Sequence, residues 1–481
     1  MTSRHLRLPI AVTLALSLAA GGCGGDDAGG PGAAEPAREP APKAAPQSAP
    51  AAPTLHTPNV LILTIDTLRA DHLGFHGYGR NTSPRLDRLA EQSIVFERAY
   101  APIATTLPSH TSMFTGVYPH EHGVLANIAD GMTYERDPSL QTLAEFFSEA
   151  GYDTRAVVSA YPLQDSFGLA SGFAEYRQPQ RKQRGAKAAT NAAIEALGEM
   201  SEADPPGLLW VHYFDPHVPY HPPKAYRDRF QITEDEREAL EARGFVERAQ
   251  RRTGEWNDLG ESLDLYDEEI AFVDDQIERL LAHAEELGWL ENAVIAVMAD
   301  HGEGLNQHGM PGHGFVWGEQ LHVPMLFFAP GQDARRIPVP VSLVDFSPTL
   351  LHLVELPGEA AFTGQMSGVN RLDPDVHHED ARVLGQGSPL QSVDGGIHYT
   401  LQAGDWRLHL GPGGVRRLFE LGGDPDELTD VIEERPLVAE RLGAELLELV
   451  AGQRRTVKTL EASDEVRREL RALGYGGDER D

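Results

Sequence analysis

The sequence predicts an α/β fold, a largely parallel sheet between layers of helices. Asn59-Val60-Leu61-Ile62-Leu63-Thr64-Ile65 is almost unbroken apolar and β-branched, the pattern of a strand buried on both faces of a parallel sheet. Residues 293–298 repeat that pattern. Strand-like and helix-like segments then alternate along the chain, as crossover connections require. Of the 481 residues 41% are hydrophobic, enough for one large domain and a smaller one.

The chain opens with Arg4, His5 and Arg7, an apolar stretch over 8–20, and Ala20-Gly21-Gly22-Cys23. This resembles a bacterial lipoprotein signal over residues 1–22, which implies acylation of Cys23 and a lipid anchor in the cell envelope. Gly24 after the cysteine implies the outer membrane, facing the periplasm or the exterior. The anchor is then the protein's only membrane contact. Cys23 is also the only cysteine, so no internal disulfide forms and no thiolate serves catalysis or metal binding elsewhere. Residues 23–57 are an Ala/Pro/Gly-rich tether that cannot bury a core. No apolar run reaches the roughly 18 residues of a membrane-spanning helix. The net charge of −32 argues against nucleic acid as a partner, because phosphate binding needs clustered Lys and Arg.

The folded body begins at Pro58. Its first strand ends in Asp66-Thr67, which places a carboxylate at the carboxyl edge where open α/β sheets bind ligands. Helices are expected over 84–93, 140–150 and 186–200, and strands over 156–159, 208–214, 293–298 and 323–328. A long acidic helical region is expected over 234–287. Between these lies Thr105-Thr106-Leu107-Pro108-Ser109-His110-Thr111-Ser112-Met113-Phe114-Thr115-Gly116. Pro108 suits a first helical turn, residues 109–114 can form a short helix, and Gly116 can end it. An alcohol at that N-terminus faces free N–H groups and the positive end of the helix dipole, a good place for an anion or a forming alkoxide.

Ala299-Asp300-His301-Gly302-Glu303 follows the 293–298 strand. Asp and His side by side at a strand end are competent metal ligands, and Asp66 adds a second carboxylate. Thr106 adds a hydroxyl that a metal acidifies, one way to make a weak alcohol nucleophilic. Ser109 is the other nucleophile in reach. Asp215 with His217 offers a start for a second metal site, but no third and fourth ligands are evident.

Residues 58 to about 357 resemble the catalytic domain of the sulfatase family, within the alkaline phosphatase superfamily. The matching pieces begin with the 59–66 strand and its Asp66, Pro108-Ser109-His110, Thr115-Gly116 and Tyr118-Pro119-His120-Glu121-His122-Gly123-Val124. Then come Phe214-Asp215-Pro216-His217-Val218-Pro219-Tyr220, Ala299-Asp300-His301-Gly302-Glu303, His308-Gly309-Met310-Pro311-Gly312-His313 and Val323-Pro324. The resemblance implies a mixed, mostly parallel sheet flanked by helices, a small C-terminal antiparallel-sheet subdomain, and hydrolysis of sulfate or phosphate esters. It implies domain limits of 58–375 for the catalytic domain and 376–455 for the subdomain, with a charged helical tail over 456–481.

Departures from the family pattern narrow the chemistry. The family's modified cysteine, which becomes formylglycine, aligns with Thr106, and its following Arg with His110. Thr67 replaces the second Asp of the strand-end pair, His301 stands where the family has Asn or His, and His313 where many members have Lys. With no cysteine beyond Cys23, formylglycine cannot form. The resemblance then implies one divalent metal (Ca, Mn, Zn or Mg) on Asp66, Asp300 and His301, completed by Thr106. It implies that His217 and His313 act on the leaving-group or non-bridging oxygens, and that His110 and Asn127 contact substrate. His308 and His322 are expected to be structural.

A threonine nucleophile resembles the phosphoester-cleaving branches, such as lipoteichoic acid synthases and nucleotide pyrophosphatases. Hydrated formylglycine ejects sulfate by collapsing to the aldehyde, and a threonyl sulfate has no such exit. The expectation is therefore an anionic ester substrate, small or polymeric, with phosphoester favoured. An envelope phosphotransferase and a non-catalytic anion-binding lipoprotein remain as alternatives. At the C-terminus, short strands over 381–385, 397–402, 406–410 and 415–420 and a helix over 437–450 are expected. The stretch Phe419 to Leu428 matches the family's closing pattern and reads as structural.

Overall fold

The computed structural model describes residues 57–461, apart from 130–131, 180–182, 202–204, 252–254, 379–380, 390–395, 453–454 and 456–457. The expected signal segment, Cys23, all but the last residue of the expected tether and the end of the expected tail lie outside the described residues. No helix among the described residues is long and apolar enough to cross a membrane.

Eight strands form the central sheet, in the order Arg335–Ser342, Ile94–Tyr100, His322–Phe328, Ala293–Ala299, Asn59–Ile65, Gly207–Tyr213, Asp153–Val157, Glu175–Arg177. His322–Phe328 runs antiparallel to both neighbours, and every other adjacent pair is parallel. The sheet is mixed and mostly parallel, as expected. Asn59–Ile65 lies at its centre and is buried from Val60 onward, which is why its sequence is apolar without alternation. Asn59 sets its start: the side-chain carbonyl accepts from Gly207 N–H and the amide donates to the Trp289 carbonyl.

Side chains alternate between the two faces of the sheet. One face carries Thr64 and Asp66 beside Trp210 and His212, in parallel register (Thr64 opposite His212). The Thr106–Thr115 helix covers this face, with Phe114 and His110 against the Trp210 ring. The other face carries Tyr213, whose hydroxyl bonds Thr190 of the Ala186–Ser201 helix, and the Leu259–Glu286 helix packs beside it.

The acidic region 234–287 is not one helical stretch. Glu234–Ala242 and Leu259–Glu286 are separated by the hairpin Arg248–Gln250/Trp256–Asp258. Gly244, at φ 84°, breaks the first helix, and the Asp258 carboxylate caps the second by accepting from Glu261 N–H.

The C-terminal sheet is antiparallel in the order Arg382–Gln386, Tyr399–Ala403, Trp406–Leu410, Arg416–Glu420, with the Pro436–Val450 helix across it. Leu401, Leu408 and Leu418 meet Leu442 and Leu446 to form its core. Glu427 fastens this sheet to the main body. It accepts from the Arg407 guanidinium at 2.7 Å and from Gly318 N–H at 2.9 Å. The 419–428 stretch is thus structural, as expected. Residues 458–461 correct the expectation of a helical tail at that point: Lys458–Glu461 is a strand, antiparallel to Met132–Glu135. Met132–Glu135 also pairs with Ile128–Ala129, so its other edge is open to a third strand.

Candidate active site and metal centre

Asp66 and Asp300 follow adjacent parallel strands, so their side chains emerge together at the carboxyl edge of the sheet. Thr67, next to Asp66, has φ 56°, a costly conformation for a β-branched residue. Two bonds hold it there: its N–H donates to Asp300 Oδ1 at 3.2 Å, and its carbonyl accepts from Tyr266 OH at 2.7 Å. Asp300 Oδ1 also accepts from His301 N–H, which leaves Oδ2 facing the cluster.

His301 Nδ1 donates to the Gly302 carbonyl at 2.9 Å, so the neutral ring presents a lone pair at Nε2. That nitrogen lies 3.7 Å from Asp66 Oδ1 and 3.5 Å from Asp300 Oδ2. Gly302 is required here, because a Cβ would stand 2.2 Å from the Glu319 carbonyl oxygen. All three side chains are fully buried. Burial raises the Asp66 carboxyl well above its usual range and Glu303 adds to it; Asp300 is raised by burial and by Asp66. Burial, with smaller pushes from neighbouring histidines, keeps His301 neutral.

Both Asp66 oxygens, Asp300 Oδ2, His301 Nε2 and Thr106 Oγ1 have no hydrogen-bond partner among the described residues. Unsatisfied buried donor atoms of this kind are expensive unless a ligand takes them. Two oxygens and an imidazole lone pair converging in one buried place fit a divalent cation. Donor atoms of Asp66, Asp300 and His301 all lie within 4.8 Å of one another, and those of His110, His212 and Asp300 form a second such set.

Thr106 is the first residue of its helix, which begins three residues earlier than expected and ends at Gly116 with φ 70°. The preceding Thr105 makes no side-chain cap. Asn127 supplies one instead, its Oδ1 accepting from Leu107 N–H at 2.9 Å. Ser109 Oγ donates to the Asp300 carbonyl at 2.6 Å. His110 is fully buried beneath the helix. Its Nδ1 bonds the Thr106 carbonyl at 2.8 Å and lies 3.6 Å from Asp300 Oδ2, while Nε2 meets Thr64 Oγ1 at 3.2 Å. His110 was expected to touch substrate; here both ring nitrogens are engaged inside the protein.

His217 and His313 come together from distant loops. His217 Nδ1 donates to the Val218 carbonyl at 2.6 Å, His313 Nδ1 to the Ala104 carbonyl at 3.0 Å, and the two Nε2 atoms face each other at 3.3 Å. The His313 ring also lies against His301, at 4.4 Å between centroids. Asp215 is used elsewhere, its Oδ2 capping the Ala186–Ser201 helix through Ala186 N–H. His308 stacks on Trp317 and pairs with Glu319, and His322 Nε2 bonds the Glu97 carbonyl, both structural as expected.

Three residues near the cluster were not anticipated as site residues. His212 is fully buried with Nε2 3.6 Å from Asp66 Oδ2; a histidine in an otherwise apolar strand was the available signal. Glu303 is fully buried with Oε2 unpartnered among the described residues. Arg251, bonded to Asn257 Oδ1 on the 248–258 hairpin, adds positive charge near Glu303 and His217, though burial remains the main influence on both.

The sulfatase family model matches residues 58–356. An arylsulfatase of Clostridium perfringens is 24% identical over 443 residues, covering 78% of this chain and 90% of its own. A delta 4,5-hexuronate-2-O-sulfatase of Bacteroides thetaiotaomicron is 24% identical over 354 residues, covering 65% of this chain and 71% of its own. Among solved structures, a phosphonate monoester hydrolase of Agrobacterium radiobacter superposes with a TM-score of 0.65 at 20% identity, covering 82% of this chain and 95% of that one. With a buried Asp/Asp/His cluster at the sheet edge and a match over most of the folded body, the chain belongs to the sulfatase family and is a hydrolase of ester bonds.

Proposed function

We propose that the protein is a metal-dependent phosphoester hydrolase with Thr106 as its nucleophile. The observation that carries this reading is Thr106 Oγ1: buried, without a hydrogen-bond partner among the described residues, and at the N-terminus of a ten-residue helix. The His110 ring links it to the cluster, reaching both the Thr106 carbonyl and Asp300. Asp66, Asp300 and His301 would hold a divalent ion, whose charge would acidify the hydroxyl and attract the substrate's anionic oxygens.

The His217/His313 pair takes the proton from Thr106 Oγ1 as that oxygen bonds to phosphorus, and passes it to the leaving oxygen as the bond from phosphorus to that oxygen breaks. Water then attacks phosphorus and gives the pair a proton, which the pair returns to Thr106 Oγ1 as the bond from phosphorus to Thr106 breaks. Threonyl phosphate opens by attack at phosphorus, whereas threonyl sulfate lacks the aldehyde exit that formylglycine provides. The fold also carries phosphorus chemistry in the Agrobacterium phosphonate monoester hydrolase. In this reading His110 and Asn127 position the helix rather than bind substrate, and Arg251 meets the substrate's anionic part.

We further propose a lipid anchor at Cys23 and a tether over 23–57 that hold the enzyme at the outer membrane. Loss of palmitate labelling in Cys23→Ala tests it. The catalytic test compares an aryl phosphodiester, an aryl phosphomonoester and an aryl sulfate across divalent metals, with Thr106→Ala as control. Phosphoester turnover lost in Thr106→Ala supports the proposal. Aryl sulfate turnover that survives Thr106→Ala overturns it and points to direct attack by water.

A further inference from the structure

His212, a member of the second set of convergent donors, plays no part in the reaction above. His212 lies on the Gly207–Tyr213 strand, in register with Thr64 and on the same face as Asp66. It is fully buried, and neither ring nitrogen has a hydrogen-bond partner among the described residues. Buried imidazoles with nothing to bind are rare, and this one points at a carboxylate.

The two carboxylates stand between two groups of histidines. Asp66 presents Oδ1 to His301 Nε2 at 3.7 Å and Oδ2 to His212 Nε2 at 3.6 Å. Asp300 Oδ2 lies 3.5 Å from His301 Nε2 and 3.6 Å from His110 Nδ1. This is the arrangement of carboxylates shared between neighbouring cations. We propose that His110, His212 and Asp300 hold a second divalent cation beside the first, with Asp300 common to both. The proposal rests on the metal centre of the preceding section. Two imidazoles and one carboxylate favour a borderline ion such as Zn²⁺ or Mn²⁺ over Ca²⁺ or Mg²⁺.

His110 can serve as a ligand by changing tautomer. Its Nδ1 gives up the Thr106 carbonyl, and its Nε2–H donates to Thr64 Oγ1. The Thr64 oxygen accepts from Trp210 Nε1–H at 2.9 Å and has a second lone pair to offer. The second charge then sits one ring away from the start of the helix that carries Thr106.

The test strips the full-length protein of metal with a chelator and reloads it with Mn²⁺. Bound ions are counted by plasma mass spectrometry and their coupling is read by electron paramagnetic resonance. The expected result is two ions per chain with an exchange-coupled spectrum, reduced in His212→Ala to one ion with an uncoupled spectrum. One uncoupled ion per saturated wild-type chain overturns the proposal whatever the variant does. Zero ions overturns the metal centre itself, so the two failures are distinguishable. The wild-type count does not depend on how well His212→Ala folds.

Discussion

The Ser109 hydroxyl donates to the Asp300 backbone carbonyl at 2.6 Å. This bond ties the Thr106–Thr115 helix to the strand end that carries the cluster, and it takes Ser109 out of the contest for nucleophile. Ser109→Ala is expected to keep turnover within about tenfold while losing roughly 0.5–1.5 kcal/mol of stability. Thr106→Ala is expected to lose at least about a thousandfold in kcat with little change in stability. Steady-state kinetics beside urea unfolding of both variants checks the assignment.

The facing Nε2 atoms of His217 and His313 make a second prediction. Each ring has committed its Nδ1–H to a backbone carbonyl, so a hydrogen bond between the two needs one proton held in common. The two rings then act as one unit. His217→Ala and His313→Ala should each cost about 10²–10⁴ in kcat on esters with a poor leaving group, and the double variant hardly more. On an activated aryl ester the losses should shrink. Additive losses in a double-mutant cycle contradict the shared role.

Much of this site was legible in the sequence because its ligands sit where buried strands end. Ala293–Ala299 is apolar throughout and Asn59–Ile65 is apolar from Val60 apart from Thr64, and the Asp that follows each is the first charged residue, with nowhere to go but the sheet edge. His212 carries one faint signal, a histidine inside an otherwise apolar strand, and no spacing rule ties it to the cluster. Two long strands were missed for opposite reasons. Ile94–Tyr100 carries half-buried Glu97 and Arg98 at its centre, which breaks the apolar run. Arg335–Ser342 contains Pro338 and Pro340, tolerated because it is an edge strand paired on one side only. Asn127 is expected to contact substrate; its Oδ1 caps Leu107 N–H across a loop, a use that only the fold reveals, while its Nδ2 has no hydrogen-bond partner among the described residues.

Asp66 gives a prediction about stability without metal. Two carboxylates and Glu303 crowd a water-poor place, and burial is what most raises Asp66 and Asp300. Asp66→Asn is expected to raise the Tm of metal-free protein and to abolish its rise on adding metal. Wild type should gain about 2.7 kcal/mol at a metal concentration a hundredfold above Kd. Differential scanning fluorimetry with and without metal reads both effects.

Glu427 gives a pH dependence. Burial pushes its carboxyl up, but Arg407 and His409 outweigh burial and hold it down to about 2. Its contribution is therefore present above the ordinary glutamate range and is lost as pH falls through about 2. Glu427→Gln leaves the Arg407 guanidinium buried without its partner, at a cost of about 3–5 kcal/mol near neutrality. The difference in unfolding free energy between Glu427→Gln and wild type should narrow steadily below about pH 4, as glutamate in the unfolded chain takes up its proton. A gap that stays constant down to pH 2 contradicts this.

The most direct test of Thr106 as nucleophile is to quench the metal-loaded enzyme during turnover of a slow aryl phosphodiester and map its peptides by mass spectrometry. The threonine mechanism predicts a phosphate-ester adduct on the peptide containing Thr106, formed at the rate of the aryl alcohol burst and absent in Thr106→Ser only if serine turns over too fast to accumulate it. An unmodified Thr106 peptide throughout a measurable burst, or an adduct on Ser109, contradicts it.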